Sequence, residues 1–189
     1  MTAAVILAAG SGRRLGGVAK ALLVHEGRTF LERIVALVRG PRVVVVGAPF
    51  GDAVAEHAAS LGDDVHVVVN PDPARGMASS IALGFQWLQV RSSSLDAALL
   101  WPVDHPFVKP ETLLALGEAN AEVARPVYQG RGGHPPLIRC TVWEQFAACD
   151  QVEGGARGVM SKLRVVAVVV DDPGVVRDVD TAEDRKALS

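Results

Sequence analysis

The sequence predicts a three-layer α/β/α fold with a mostly parallel sheet, and three observations predict it. Short apolar runs alternate with segments of helical period from the first residues onward. Hydrophobic residues make up 49 % of the 189 while aromatics reach only 5 %, so packing falls to Ala, Val, Leu and Gly, which suits parallel strands covered on both faces. Glycines, turn residues and acids gather just after the apolar runs, where an open α/β sheet places its ligand crevice. The length fits one core and one domain spanning 1–189.

The first strand is read over 5–9, entering the glycines of LAAGSGRRLGGVAK. In TFLERIVALVRG, Phe30 or Leu31, Ile34, Leu37 and Val38 recur at helical spacing before Gly40-Pro41 stops the helix. RVVVV (42–46) is a second strand ending at Gly47, 51–61 an Ala-rich helix, and 66–69 a third strand ending at Asn70. MASSIALGFQWLQV places Ile81, Gly84, Phe85 and Leu88 on one face, with Ser79 or Ser80 as the expected cap. A polar SSSLD leads to AALLWPVD, a fourth strand closed by an acid, and PETLLALGEA is a helix with Pro110 in its first turn. ARPVY is a fifth strand, RGGHPPL a loop, TVWEQFAAC a short helix, RVVAVVV a sixth strand and TAEDRKAL a terminal helix. The less regular stretch 124–150 is expected to be an insertion or antiparallel excursion over a site.

Composition narrows the function. Nineteen Lys and Arg against 21 Asp and Glu leave a formal charge of −2, so no general attraction to nucleic acid or membrane is expected. Cys140 and Cys149 are too few for a disulfide scaffold, no CxxC is present, and a reduced, cytoplasmic setting with both as packing residues is expected. The N-terminus lacks a basic region, and no apolar run approaches the roughly 20 residues that span a bilayer.

The polar residues after the strands are the candidates for chemistry. Gly10, Gly12, Gly16 and Gly17, with Arg13, Arg14 and Lys20 among them, match neither GxGxxG nor GxxxxGK followed by Ser or Thr, and no acid after the second strand waits for a ribose. Glycines still let backbone N–H groups approach an anion, so the loop is either a triphosphate clamp or a tight turn. Asp104 is a magnesium ligand or base at a rigid strand end, or the cap of the helix near Pro110. Asp178 and Asp180 offer carboxylates after the last strand, and Asp180 could equally cap the final helix. Acids from two strand ends beside a basic Gly loop point to metal-assisted chemistry on phosphates, where no general base is needed if the attacker is itself a phosphate. His134 and Arg157 are candidate contacts to an anionic substrate or, respectively, a loop histidine and a surface arginine. HExxH and GxSxG are absent, which removes zinc-peptidase and serine-hydrolase readings.

Taken together, these segments resemble the MobA-like nucleotidyltransferases, and within them the cytidylyltransferase branch. LAAGSGRRLGGVAK is similar to the family's LAAGxSxRxGxxK, with Gly12 in the Ser place and one extra residue before Lys20. NPDPARGMASS, PVDHP, GRGGHPPLI, GARG and RDVDTAED match further family segments in order, from residue 5 to residue 184. The resemblance implies a Rossmann-like nucleotide-diphospho-sugar transferase fold. It implies nucleotide contacts from Leu7, Ala8, Ala9, Gly10, Gly12, Arg14, Lys20, Asn70, Gly76, Ser79 and Ser80. Catalytic roles fall to Arg14, Lys20 and Asp104, Mg2+ ligation to Asp104 with Asp180 or Asp178, and acceptor contacts to His134 and Arg157.

The expected reaction is transfer of CMP from CTP to a phosphate acceptor such as molybdopterin, with release of pyrophosphate; Ala9, in LAAG rather than LAGG, favours CTP over GTP. GTP as donor, a sugar phosphate as acceptor, and a non-catalytic cofactor-binding chaperone are the alternatives. A transient contact with a molybdoenzyme or its chaperone would then be the one macromolecular partnership.

Overall fold

The computed structural model describes residues 1–91 and 94–186, apart from the side chains of Arg14, Ala182 and Arg185. β1 (Thr2–Leu7) is buried from Ala3 onward, as a strand covered on both faces must be. After the first loop a two-residue hairpin, β2 (Val24–His25) and β3 (Arg28–Thr29), feeds α1 (Phe30–Leu37). Thr29 starts α1 with a capping box. Its Oγ1 accepts from the Glu32 N–H at 3.0 Å, and the Glu32 carboxylate accepts from the Thr29 N–H at 2.5 Å.

Strands and helices then alternate as β4 (Arg42–Gly47), α2 (Gly51–Ala59), β5 (Val65–Asn70), α3 (Met77–Arg91), β6 (Ala97–Pro102), α4 (Pro110–Glu118) and β7 (Val123–Tyr128). The remainder comprises β8 (Arg131–Gly132), β9 (Leu137–Arg139), α5 (Trp143–Ala147), α6 (Gly155–Met160), β10 (Val165–Val169) and α7 (Ala182–Lys186). Residues 92 and 93 of the polar linker, and 187 and 188 of the expected terminal helix, lie outside the described residues.

The sheet runs β10-β7-β9-β6-β1-β4-β5, with β8 paired to β7. β1 is parallel to both β4 and β6, so the chain leaves β1 toward one side and later returns on the other, which makes its C-terminal end a topological switch point. β9 is antiparallel to β6 and β7. It is the antiparallel excursion expected within 124–150, although the expected loop RGGHPPL runs into it at Leu137 and no element is expected over 138–139. Three residues are too few to show a period of two, and the ladder to two long neighbours is what makes Leu137–Arg139 a strand. The helix expected over 141–149 is likewise broken into α5 between short 3-10 turns at Cys140–Val142 and Cys149–Gln151.

Alternate β1 residues serve the two faces of the sheet. Ala4 and Ile6 join Phe30, Ile34, Val54 and Leu116 from α1, α2 and α4, while Ala3, Val5 and Leu7 join Phe85, Leu88, Phe146 and Val159 from α3, α5 and α6. Gly84 lets α3 lie on β1, since a Cβ there would fall 2.3 Å from Val5 Cγ1. Of the two cysteines, Cys149 is buried and Cys140 is exposed, so only the former is the packing residue expected. No helix among the described residues is long and apolar enough to cross a membrane.

Candidate active site

Leu7, Ala8, Ala9 and Gly10 leave the end of β1 as the floor of a cleft of about 230 Å3. The glycine loop then folds on itself. Gly12, Gly16 and Gly17 all have positive φ (+57°, +80° and +76°), and the Gly12 carbonyl accepts from the Leu15 N–H at 2.9 Å and the Gly17 N–H at 3.0 Å. A Cβ on Gly12 would lie 2.0 Å from the Val18 carbonyl oxygen, so the Ser of the resembling pattern has no room in this loop. Residues 12–17 thus form a tight turn, and Gly10 and Lys20 on either side of it line the cleft.

Lys20 opens the 3-10 turn Lys20–Leu22 and extends to two acids from distant parts of the chain. Its Nζ donates to Asp104 Oδ2 at 3.0 Å and to Asp180 Oδ1 at 2.5 Å, with the three side chains between 14 % and 28 % exposed. The extra residue before Lys20 therefore does not keep the ammonium from the end of β6. Burial pulls the Lys20 pKa down, but the Asp104 charge and the hydrogen bonds from Asp180 and Asp104 outweigh it and leave the pKa above its ordinary 10.5. Both helix-cap alternatives for these acids fail. α4 receives at its start the carboxylate of Asp172, through the Lys109 N–H and Thr112 hydroxyl, and α7 is capped by Thr181, whose Oγ1 accepts from the Asp184 N–H at 3.2 Å. The side chain of Arg14 lies outside the described residues.

Across the cleft, Ser80, Gly76 and Met77 form the wall opposite Lys20 and Asp104. Ser79 and Ser80 are not caps of α3. Both are buried and accept from the Asn70 side-chain amide at 2.9 Å each, while Asn70 Oδ1 accepts from the Asp72 N–H at 3.0 Å. Asn70, expected at the nucleotide, stands behind this wall and uses its amide to brace it. Met77 and Pro73 also line the cleft. Pro73 is not among the contacts expected from the sequence, because an apolar residue in a turn carries no sequence mark of which way it faces.

His134 lies beside His105, with ring centroids 4.9 Å apart, and the Nδ1 atoms of both are buried without a protein partner. Burial first, then the proximity of His105 and Arg125, brings the His134 pKa from 6.5 down to about 4, so the ring is neutral at pH 7. Arg157 is exposed on α6, and its positive charge reaches His134. Asp178 is exposed, and its negative charge reaches His105 rather than Lys20, which distinguishes it from Asp180. His66 stacks on Trp87 at 4.5 Å, and His57 Nε2 meets Thr29 Oγ1 at 2.9 Å, so both serve packing away from the cleft lining.

A basic glycine loop at the switch point, facing acids from two strand ends, coincides with a match of residues 4–168 to the MobA-like NTP transferase domain. The chain belongs to that family. A molybdenum cofactor guanylyltransferase of Acidiphilium cryptum is 37 % identical over 79 % of this chain and 70 % of its own length. Guanylyltransferases of the same name from Cereibacter sphaeroides and Rhodopseudomonas palustris are 29 % to 34 % identical. A nicotine blue oxidoreductase of Paenarthrobacter nicotinovorans is 31 % identical over 97 % of this chain and 94 % of its own. Among solved structures, Rv0371C of Mycobacterium tuberculosis H37Rv in complex with manganese has a TM-score of 0.71 at 27 % identity, covering 99 % of this chain and 97 % of that one.

The MobA-like match ends at residue 168, before Asp178 and Asp180. In this MobA-like chain it is the tertiary fold that returns Asp180 to the first loop. Among the described residues no group of three or more His, Cys, Asp or Glu side chains is placed to hold a metal. The donor set on offer is two carboxylates that already share one cation, the Lys20 ammonium. Such a pair suits a hard divalent ion that completes its shell with water and phosphate oxygens, as Mg2+ does.

Proposed function

We propose that this MobA-like protein transfers a nucleoside monophosphate from a nucleoside triphosphate to a phosphate acceptor and releases pyrophosphate. The observation that carries this reading is the meeting of Lys20, Asp104 and Asp180 above the glycine loop. Asp104 and Asp180 would hold the divalent cation, whose chemistry is to neutralise phosphate oxygens as charge moves onto the leaving group. Lys20, released from the carboxylates, turns to the β- and γ-phosphates as a mobile point charge. Arg14 is assigned the neighbouring charge by resemblance. Gly10, which lines the cleft without a side chain, lets the backbone approach the triphosphate, and the wall of Ser80 and Gly76 faces the nucleoside. His134, neutral at pH 7, offers the acceptor a hydrogen bond rather than a charge, and Arg157 supplies the positive charge on that side.

For the donor base, the guanylyltransferase names of several relatives support GTP over the CTP that Ala9 favours, with a molybdopterin-type phosphate as acceptor. The test is pyrophosphate release with molybdopterin, Mg2+ and each of GTP, CTP, UTP and ATP. Turnover with GTP is expected; turnover with CTP alone would restore the reading from Ala9. Nucleotide binding without pyrophosphate release in any mixture would place the protein with the non-catalytic carriers.

A second reading has one observation behind it. A relative aligned over 97 % of this chain is named an oxidoreductase. Reduction of nicotine blue by a supplied hydride donor, and no pyrophosphate release from any triphosphate, would favour it over nucleotidyl transfer.

A further inference from the structure

We propose that Asp172 is a positioning residue: a buried carboxylate that fixes the loop carrying Asp180 against the end of β6 and so sets where Asp180 stands relative to Asp104. The proposal rests on the reading of Asp104 and Asp180 as the metal-holding pair. Asp172 itself is 2 % exposed and is not among the residues lining the cleft. Its Oδ2 accepts from the Lys109 N–H at 2.8 Å and the Thr112 hydroxyl at 2.7 Å, both at the start of α4, and its Oδ1 accepts from the Gly174 N–H at 2.9 Å within its own loop. The Lys109 ammonium goes elsewhere, to the Asp171 carbonyl at 3.1 Å. A buried carboxylate is costly unless its oxygens are satisfied, and the start of a helix is a favourable place for one. Only the docked loop brings these three donors together, so leaving that position would strand the charge.

From Asp172 toward Asp180 the chain is tied to the segment after β6 through Gly174, Arg177 and Val179, and to the loop after β8 through Val175. Gly174 passes so near the Phe107 carbonyl that a Cβ would lie 2.1 Å from its oxygen. The Val175 carbonyl accepts from the His134 N–H at 2.8 Å. The Arg177 guanidinium lies 4.4 Å over the Phe107 ring, and the Val179 N–H donates to the Asp104 carbonyl at 3.0 Å. Asp104 stands on the end of a fully buried strand, whereas Asp180 lies between β10 and α7 with no ladder to hold it. The bonds from Asp172 supply the missing anchor, and the Val179–Asp104 bond transmits it to the two acids.

The test uses the full chain with Asp172→Asn and Thr112→Val. An Asn at 172 matches the three donors on one oxygen only and turns an NH2 toward an N–H, while Thr112→Val keeps the carboxylate and removes one donor. Hydrogen exchange of the Val179 amide is expected to quicken about tenfold in Asp172→Asn, with the amides of β1 and β4 unchanged. Mn2+ alone, followed by electron paramagnetic resonance, is expected to bind about tenfold more weakly. Turnover should fall at low Mn2+ and recover as Mn2+ is raised, a metal-dependent change in KM that a general folding defect would not give. Thr112→Val should shift the same readouts in the same direction by less, and it carries the test if Asp172→Asn does not fold. Unchanged Val179 exchange together with unchanged Mn2+ affinity overturns the proposal. Failure of the metal reading looks different: wild type then holds no Mn2+, and the claim for Asp172 stands or falls on Val179 exchange.

Discussion

Lys20 and Asp180, separated by 160 positions in the chain, form a hydrogen-bonded ion pair at 2.5 Å. Asp104 joins from the end of β6, so one ammonium is shared by two carboxylates in a part-buried cleft and one negative charge is left over. Lys20→Met should therefore separate phosphate stabilisation from metal holding. Turnover is expected to fall about 10²- to 10³-fold, as for removal of one preorganised charge donor. Mn2+ measured without nucleotide should bind at least as tightly, because the competing ammonium is gone. Wild-type turnover in this variant would remove Lys20 from the reaction. The ion pair also has a pH signature: with the folded pKa raised, its contribution to stability is complete below 10.5 and is lost as pH rises through the raised value. The stability gap between wild type and Lys20→Met, measured by urea unfolding, should be constant near neutrality and close at strongly alkaline pH.

His134 gives a dependence of opposite sense. Its pKa is lowered to about 4 in the folded protein, against 6.5 for an ordinary histidine. Between those values the unfolded chain holds a proton that the native protein does not, so stability falls as pH drops through this window, by roughly 3 kcal/mol in total. In His134→Phe, which keeps a ring and cannot titrate, the slope of unfolding free energy between pH 6.5 and 4 should lessen by about one proton. An unchanged slope would show that the ring is charged in the native state at pH 5.

Gly12→Ser restores the residue of the resembling loop pattern, yet it should be harmful here. The position has φ +57° and its Cβ would strike the Val18 carbonyl. A loss of about 1 to 3 kcal/mol is expected, with lower turnover from a displaced loop. Thermal unfolding at or above the wild-type midpoint would contradict this account of the loop.

Asn70→Ala should act on stability through the wall of the cleft. It removes the donors to Ser79 and Ser80 and the acceptor for the Asp72 N–H in a buried place. Roughly 2 kcal/mol is expected, or about 4 to 8 °C in the unfolding midpoint. KM for the nucleotide should rise more than kcat falls, since Asn70 braces the binding wall and touches no reacting atom. A variant with unaltered stability but abolished binding would instead make Asn70 a direct ligand contact.

Much of this protein was written in local patterns. The apolar run RVVVV becomes a strand buried on both faces, the first strand forms at Thr2–Leu7, earlier at each end than the expected 5–9, and TFLE caps α1 as its spacing demands, because these outcomes depend on residues within a few positions of one another. The placement of charged residues just beyond β1 and β6 was equally legible, since a strand end delivers its next residues to the crevice. What each acid does there was not. Asp104 stands a few residues before the helix near Pro110 and Asp180 just before the last helix, so local pattern offered capping for both, and it gave Asp172 no role. Packing decided that Asp172 serves α4, Thr181 caps α7, and Asp104 and Asp180 meet at Lys20. A carboxylate takes the nearest donors in space, and across 60, 84 or 160 positions only the folded sheet determines which donors those are.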